Sequence, residues 1–174
     1  MKNILFILLS SFTLFAYSQV PTHCKQDEFS LLNAKMGKMQ NEKFISNDKI
    51  LSLCADKTKE PYGSLAYRYG KLGNIEIENI ATTKSKMFIY YEPTSAKTSD
   101  NLFWFKKGNY QYVVSNCMGM CFTGIYLYVF QNGKKIAELV SPDPELYESN
   151  LSDINMEKIK SPIFKIEYPD GSLN

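Results

Sequence analysis

The chain has one histidine, one arginine and one tryptophan in 174 residues. The first scarcity removes a class of function. With His23 as the sole imidazole, a four-ligand zinc site would need unusual help from carboxylates. His23 also sits beside Cys24, and neighbours on an extended chain point apart. A nucleophilic Cys-His dyad needs its two groups facing one another with a third to orient them. No GxSxG, HExxH, phosphate-binding loop or GxGxxG occurs. The carboxylate pairs Asp27/Glu28, Glu76/Glu78 and Asp143/Glu145 raise the glycosidase question, but that chemistry needs two carboxyls across a cleft. Glu76 and Glu78 show only the alternation of a solvent-facing strand. The formal charge is +2 with both signs interspersed, which gives no reason to expect nucleic acid. No internal repeat or low-complexity tract appears. The sequence reads as a non-enzyme without cofactor or metal.

Long apolar runs are confined to the start. In MKNILFILLSSFTLFAYS, Lys2 gives a charged beginning, Ile4–Phe15 is apolar, and Ala16 and Ser18 are small residues placed for cleavage. This pattern reads as a secretory leader over residues 1–18, too short and wrongly flanked to span a bilayer. The expectation is a secreted or periplasmic protein, residues 19–174 forming one β domain without stable membrane insertion. Cys24 lacks the small and apolar neighbours of a lipid-attachment site.

What is present in quantity is strand-forming residue. Tyr110–Asn116 and Phe122–Gln131 are rich in Tyr, Val, Phe and Ile, which suit a pleated, half-buried surface. The second run is apolar on both faces and belongs inside a sheet. Asn132-Gly133 tolerates positive φ and predicts a tight hairpin, and Lys107-Gly108-Asn109 predicts another. Leu65–Tyr69 and Ile75–Ile77 alternate about a turn at Gly70–Gly73. Phe29–Met39 fits a helix or a strand, and the strand is preferred. Asn47-Asp48 predicts a turn into Lys49–Cys54. Met87–Tyr91 reads as a strand ended by Pro93, Thr94–Asp100 as a polar loop, Ser141–Pro144 as a break and Ile163–Tyr168 as a closing strand. Together these predict an all-β antiparallel meander of eight to ten strands, forming a small barrel or sandwich.

Four cysteines in an exported chain suggest two disulfides. Three connectivities exist, and the pairs Cys24–Cys54 and Cys117–Cys121 are selected. Residues opposed across an antiparallel pair have Cα atoms roughly 4.5–5.5 Å apart, within disulfide reach. Cys117 and Cys121 would then pin the tip Met118-Gly119-Met120, either as a simple staple or as a rigid surface for a partner.

Two further features bear on binding. Arg68 is the single arginine among twenty basic residues, flanked by Tyr67 and Tyr69. Its planar fork suits a partner's carboxylate, or alternatively a structural pair with Glu76 or Glu78. Aromatic residues make up 14% of the chain, and tyrosine is common both at interfaces and in β cores. The binding candidates are therefore Arg68, Tyr67, Tyr69, Met118 and Met120.

The stretches SLAYRYGKLGNIEIE and NLFWFKKGNYQYVV resemble a pattern in small secreted bacterial β-proteins of unassigned activity. Size, leader, disulfides and meander are also similar to those of periplasmic lysozyme inhibitors. In such inhibitors a loop from a small β-barrel enters a glycosidase cleft and pairs with its carboxylates. The resemblance implies export from a bacterium, a protein partner and no turnover. The expected function is an inhibitor or immunity-type protein against a hydrolase or toxin; the alternative is a module for envelope glycan or peptide.

Overall fold

A computed structural model describes residues 20–56, 63–81, 84–95, 98–119, 123–151, 164–166 and 169, with the backbone alone at 90–95, 98–99 and 164–166. The expected leader, Cys121, Met120, Phe122 and most of 152–174 lie outside the described residues. The strands are β1 (Glu28–Gln40), β2 (Lys43–Asp56), β3 (Leu65–Lys71), β4 (Asn74–Ile80), β5 (Met87–Ser95), β6 (Thr98–Lys107), β7 (Tyr110–Gly119), β8 (Gly124–Gln131), β9 (Lys134–Ser141), β10 (Tyr147–Ser149) and β11 (Phe164–Ile166). They form one sheet in the order β11-β5-β6-β7-β8-β9-β1-β2-β3-β4, with β10 also beside β1. Pairing is antiparallel except for β11, which runs parallel to β5.

The expected all-β meander is present, but its closure differs from a barrel or a two-sheet sandwich. Six strand spacings separate β3 from β6 through the sheet, roughly 29 Å if it were flat. Yet the Tyr67 and Phe105 rings lie 4.9 Å apart, and Lys107 Nζ donates to the Glu78 carbonyl at 3.3 Å. The sheet is therefore rolled up. No hydrogen-bonded pairing joins β4 to β5 among the described residues, so the roll stays open at that seam.

Alternation decides what fills the roll. Leu51, Leu53, Leu65, Tyr67, Phe103, Phe105, Ile125 and Leu127 point inward and are buried. Leu102, Trp104, Val113 and Phe130 form a second buried cluster on the other face. Central strands apolar on both sides are what such two-faced burial requires.

Three local expectations are corrected. The β1–β2 turn is Asn41-Glu42, both at positive φ (48° and 62°), as a two-residue hairpin of primed type demands. Asn47-Asp48 is instead a bulge inside β2, where Asp48 takes φ 59° and the register slips between Met36 and Gly37. Pro93 does not end β5, which runs to Ser95 with an irregularity between Glu92 and Ser95, a place where a missing N–H is tolerated. Of the expected polar loop Thr94–Asp100, Thr94 and Ser95 end β5 and Thr98–Asp100 begin β6. By contrast, Pro142 and Pro144 do break the ladder, between β9 and β10, and Asp143 caps a 3-10 turn at Pro144–Leu146 by accepting from the Glu145 N–H at 2.9 Å.

Cys24 and Cys54 are joined, 30 residues apart in sequence. Cys117 is disulfide-bonded as well, at the start of the expected tip. Closing a loop of 30 residues stabilises by roughly 3–4 kcal/mol in the loop-entropy model. Cys24→Ser with Cys54→Ser is expected to lose about that much in urea unfolding. A loss below about 1 kcal/mol would mean that the segment is held equally well without the bond.

Candidate binding surface

Of the two alternatives for Arg68, a fork for a partner or a structural pair, the geometry selects the structural pair. On β3, Leu65, Tyr67 and Tyr69 face the core, so Ala66, Arg68 and Gly70 face outward. That outer face is covered by the segment from His23 to Glu28. Cys24 bonds to Cys54 on β2, and the His23 N–H donates to Ser52 Oγ at 3.0 Å. His23 Nε2 donates to the Gly70 carbonyl at 3.1 Å. Beneath this clasp Arg68 is 1% exposed. Its Nη1 and Nη2 donate to Glu28 Oε2 and Oε1 at 2.6 and 2.8 Å. Nε donates to Glu78 Oε1 at 2.8 Å, and Nη1 also to the His23 carbonyl at 3.2 Å.

This is the bidentate geometry that arginine supplies and lysine does not. Burial pushes the Glu28 carboxyl up, but hydrogen bonds from Arg68 and the Lys25 N–H, with the Arg68 charge, outweigh it and hold the group below its ordinary value. The Glu28 hydrogen bond in turn raises Arg68 against the opposing effect of burial. Arg68 is thus an internal anchor, with no donor fork offered to a partner. Glu78 was a foreseen mate; Glu28, the principal one, was missed because 40 residues separate it from Arg68.

Tyr67 and Tyr69 are corrected for the same reason. Tyr67 is fully buried, its hydroxyl has no hydrogen-bond partner among the described residues, and desolvation drives its phenol well above the ordinary value. Tyr69 is buried with its hydroxyl accepting from Asn47 Nδ2 at 3.0 Å. Both belong to the core.

Met118 does reach solvent, 49% exposed, one residue past the paired Cys117 and Gly124. The neighbouring Thr123 leads into a groove of about 570 Å³ on the outer face of β8, β9 and β1. Met39, Tyr126, Val140 and Pro142 give it an apolar lining, and Lys38 and Glu138 add one charge of each sign. Tyr126 and Tyr128 lie along the same face with parallel rings, centroids 5.9 Å apart and planes within 5°. Lys135 sits over Tyr128 and pairs with Glu138 at 2.8 Å. Burial, followed by the nearby Glu138 charge, raises both phenols.

The local sequence explains why a groove opens here. Strand β1 meets β9 at a single residue pair, Gly37 opposite Val140. The bulge at Asn47-Asp48 falls opposite this point, and bulges bend and overtwist a strand. At Gly37 the β1–β2 hairpin folds tightly over itself: a Cβ there would stand 2.3 Å from the Ile45 carbonyl and 2.6 Å from the Phe44 ring. Beyond Gly37 the two hairpins part. Met39, Ile45 and Ile136 are left about half exposed. Neither Met39 nor Tyr126 stood out in the sequence, since nothing local marks where two distant strands stop pairing.

Among the described residues, one cluster of possible metal-ligating groups is Cys24, Glu28 and Cys54. Two of these are consumed in a disulfide and the third holds Arg68, so the set has no free thiolate to offer. Compared with known proteins, the chain matches no family model, no curated protein and no solved structure.

Proposed function

We propose that this chain is an exported, non-catalytic binding protein, acting as an inhibitor or immunity-type protein on a hydrolase or toxin. The contact surface is the outer face of β8, β9 and β1 together with the Met118 end of β7. The observation that carries the reading is the apolar groove with exposed Met39 beside it. Methionine side chains adapt to a partner's shape, and the rigid sheet behind them lowers the ordering cost of docking. Export is supported by the apolar leader and by a disulfide, which persists in oxidising compartments. The resemblance to periplasmic lysozyme inhibitors is consistent with this role, with Lys38 at the groove in place of the buried Arg68 as the cation nearest a partner's acid.

A second reading, an envelope glycan module, is favoured by the parallel Tyr126 and Tyr128 rings. The two separate in one experiment. Immobilised protein is incubated with bacterial lysate and with insoluble cell wall, alongside Met39→Asp and Met118→Ala. The expected result is one stoichiometric protein partner, held about tenfold more weakly by Met39→Asp, as for a residue near the centre of an interface. Thermal stability of both variants should stay within a few degrees of the parent. Retention by cell wall, lost with Tyr126→Ala, would establish the glycan reading instead. Equal binding by all variants would place the contact surface elsewhere.

A further inference from the structure

Where β1 and β9 part, both strands continue with no strand paired to their facing edges among the described residues. Strand β1 runs on through Lys38, Met39 and Gln40, and β9 offers Lys134–Leu139. A strand edge of this kind presents a row of open backbone donors and acceptors. The lengths are roughly 10 Å on β1 and roughly 20 Å on β9, enough for about six residues of added strand. Charge is uneven around the opening. Lys38, Lys43, Lys134 and Lys135 stand on the two hairpin ends against Glu42 and Glu138, and Glu138 is already held by Lys135. Among the described residues Lys38, Lys43 and Lys134 have no acidic partner. Exposed Met39 and Ile136 supply apolar contacts on the same two strands.

We infer that this fork takes up an extended, acidic segment of the partner protein, which adds as a strand along β9 and reaches across to Lys38 on β1. Backbone hydrogen bonds to the open edge hold the segment, alternate side chains meet Met39 and Ile136, and its carboxylates meet the unpaired lysines. The inference rests on the reading of this face as the partner surface and specifies what the partner brings to it. Other open edges fit less well. The outward edge of β4 carries Glu76 and Glu78, both engaged, to Lys49 and Arg68.

The test uses the full exported chain and a capped nine-residue peptide alternating glutamate with valine. One control replaces every glutamate with lysine, and a second carries N-methyl groups on alternate amides. The acidic peptide should bind saturably and more weakly at high salt. It should slow amide exchange in Lys38–Gln40 and Lys134–Leu139, while neither control binds. Lys38→Glu combined with Lys134→Glu should weaken it about tenfold or more. Failure of the acidic peptide to bind, or binding that leaves these amides unprotected, would overturn strand addition. Equal binding by the N-methylated peptide would overturn it too. Slow exchange at the same amides without peptide, rising with protein concentration, would assign the edge to a second copy and reject the peptide. If the peptide fails while the captured partner still discriminates Met39→Asp, the proposed function stands and only this inference falls.

Discussion

Replacing Arg68 with methionine is expected to lower the free energy of unfolding by about 3–5 kcal/mol, the usual cost of removing one partner from a buried pair. The loss comes mostly from Glu28, whose side chain is 15% exposed and would be left without its guanidinium. Glu78 is 43% exposed, so water screens it and its share is small. Arg68→Lys should recover only part of the loss, because one ammonium cannot span both Glu28 oxygens and the His23 carbonyl. The pH dependence follows from the sign of the Glu28 shift. Its folded pKa lies below the ordinary value, so the pair's contribution is fully present above the unfolded carboxylate pKa and is lost as pH falls through the folded one. The gap between parent and Arg68→Met should therefore narrow on acidification through the carboxylate range. Urea unfolding across that range measures it. A gap that is small at neutral pH, or constant with pH, would contradict the anchoring role.

Trp104→Ala is expected to cost about 3–5 kcal/mol as well, for a reason unrelated to charge. Trp104 is 2% exposed and stacks on Phe88 with centroids 4.4 Å apart and planes 20° from parallel. Leu102, Val113 and Phe130 surround it, while Phe103 and Phe105 on the same strand bury into the opposite cluster. Truncation opens a cavity that a sheet buried on both faces has little freedom to close. Trp104 is the single indole, so native emission reports this site alone. The parent should emit at the short wavelengths of an apolar environment and shift to the red on unfolding. Native emission typical of hydrated indole, or a loss below about 1 kcal/mol in Trp104→Ala, would show that the outer cluster is not packed.

How much of this was legible in the sequence depended on the range of the interaction. The hairpin at Asn132-Gly133, the two apolar faces of β8 and the alternation of β3 and β4 are set by neighbours along the chain, and residue type alone revealed them. Asn47-Asp48 shows the limit of that reading. Asp48 does take up the positive φ that such residues tolerate, but a bulge and a turn draw on the same preference, and the partner strand decides between them. Arg68 shows a second limit. Its rarity and its flanking tyrosines marked it as special, and it is special, but burial beneath the segment His23–Glu28 turned a docking group into an anchor. The rolled sheet and the fork between β1 and β9 lay beyond local pattern altogether, because they follow from where strands a hundred residues apart stop pairing.

The most direct test of the functional account is hydrogen exchange on the complex with the captured partner. Protection gained on binding should fall on the Met118 end of β7, on Lys38–Gln40 and on Lys134–Leu139, with residues 65–71 around Arg68 unchanged. Protection confined to 65–80, or spread elsewhere with the groove untouched, would contradict it.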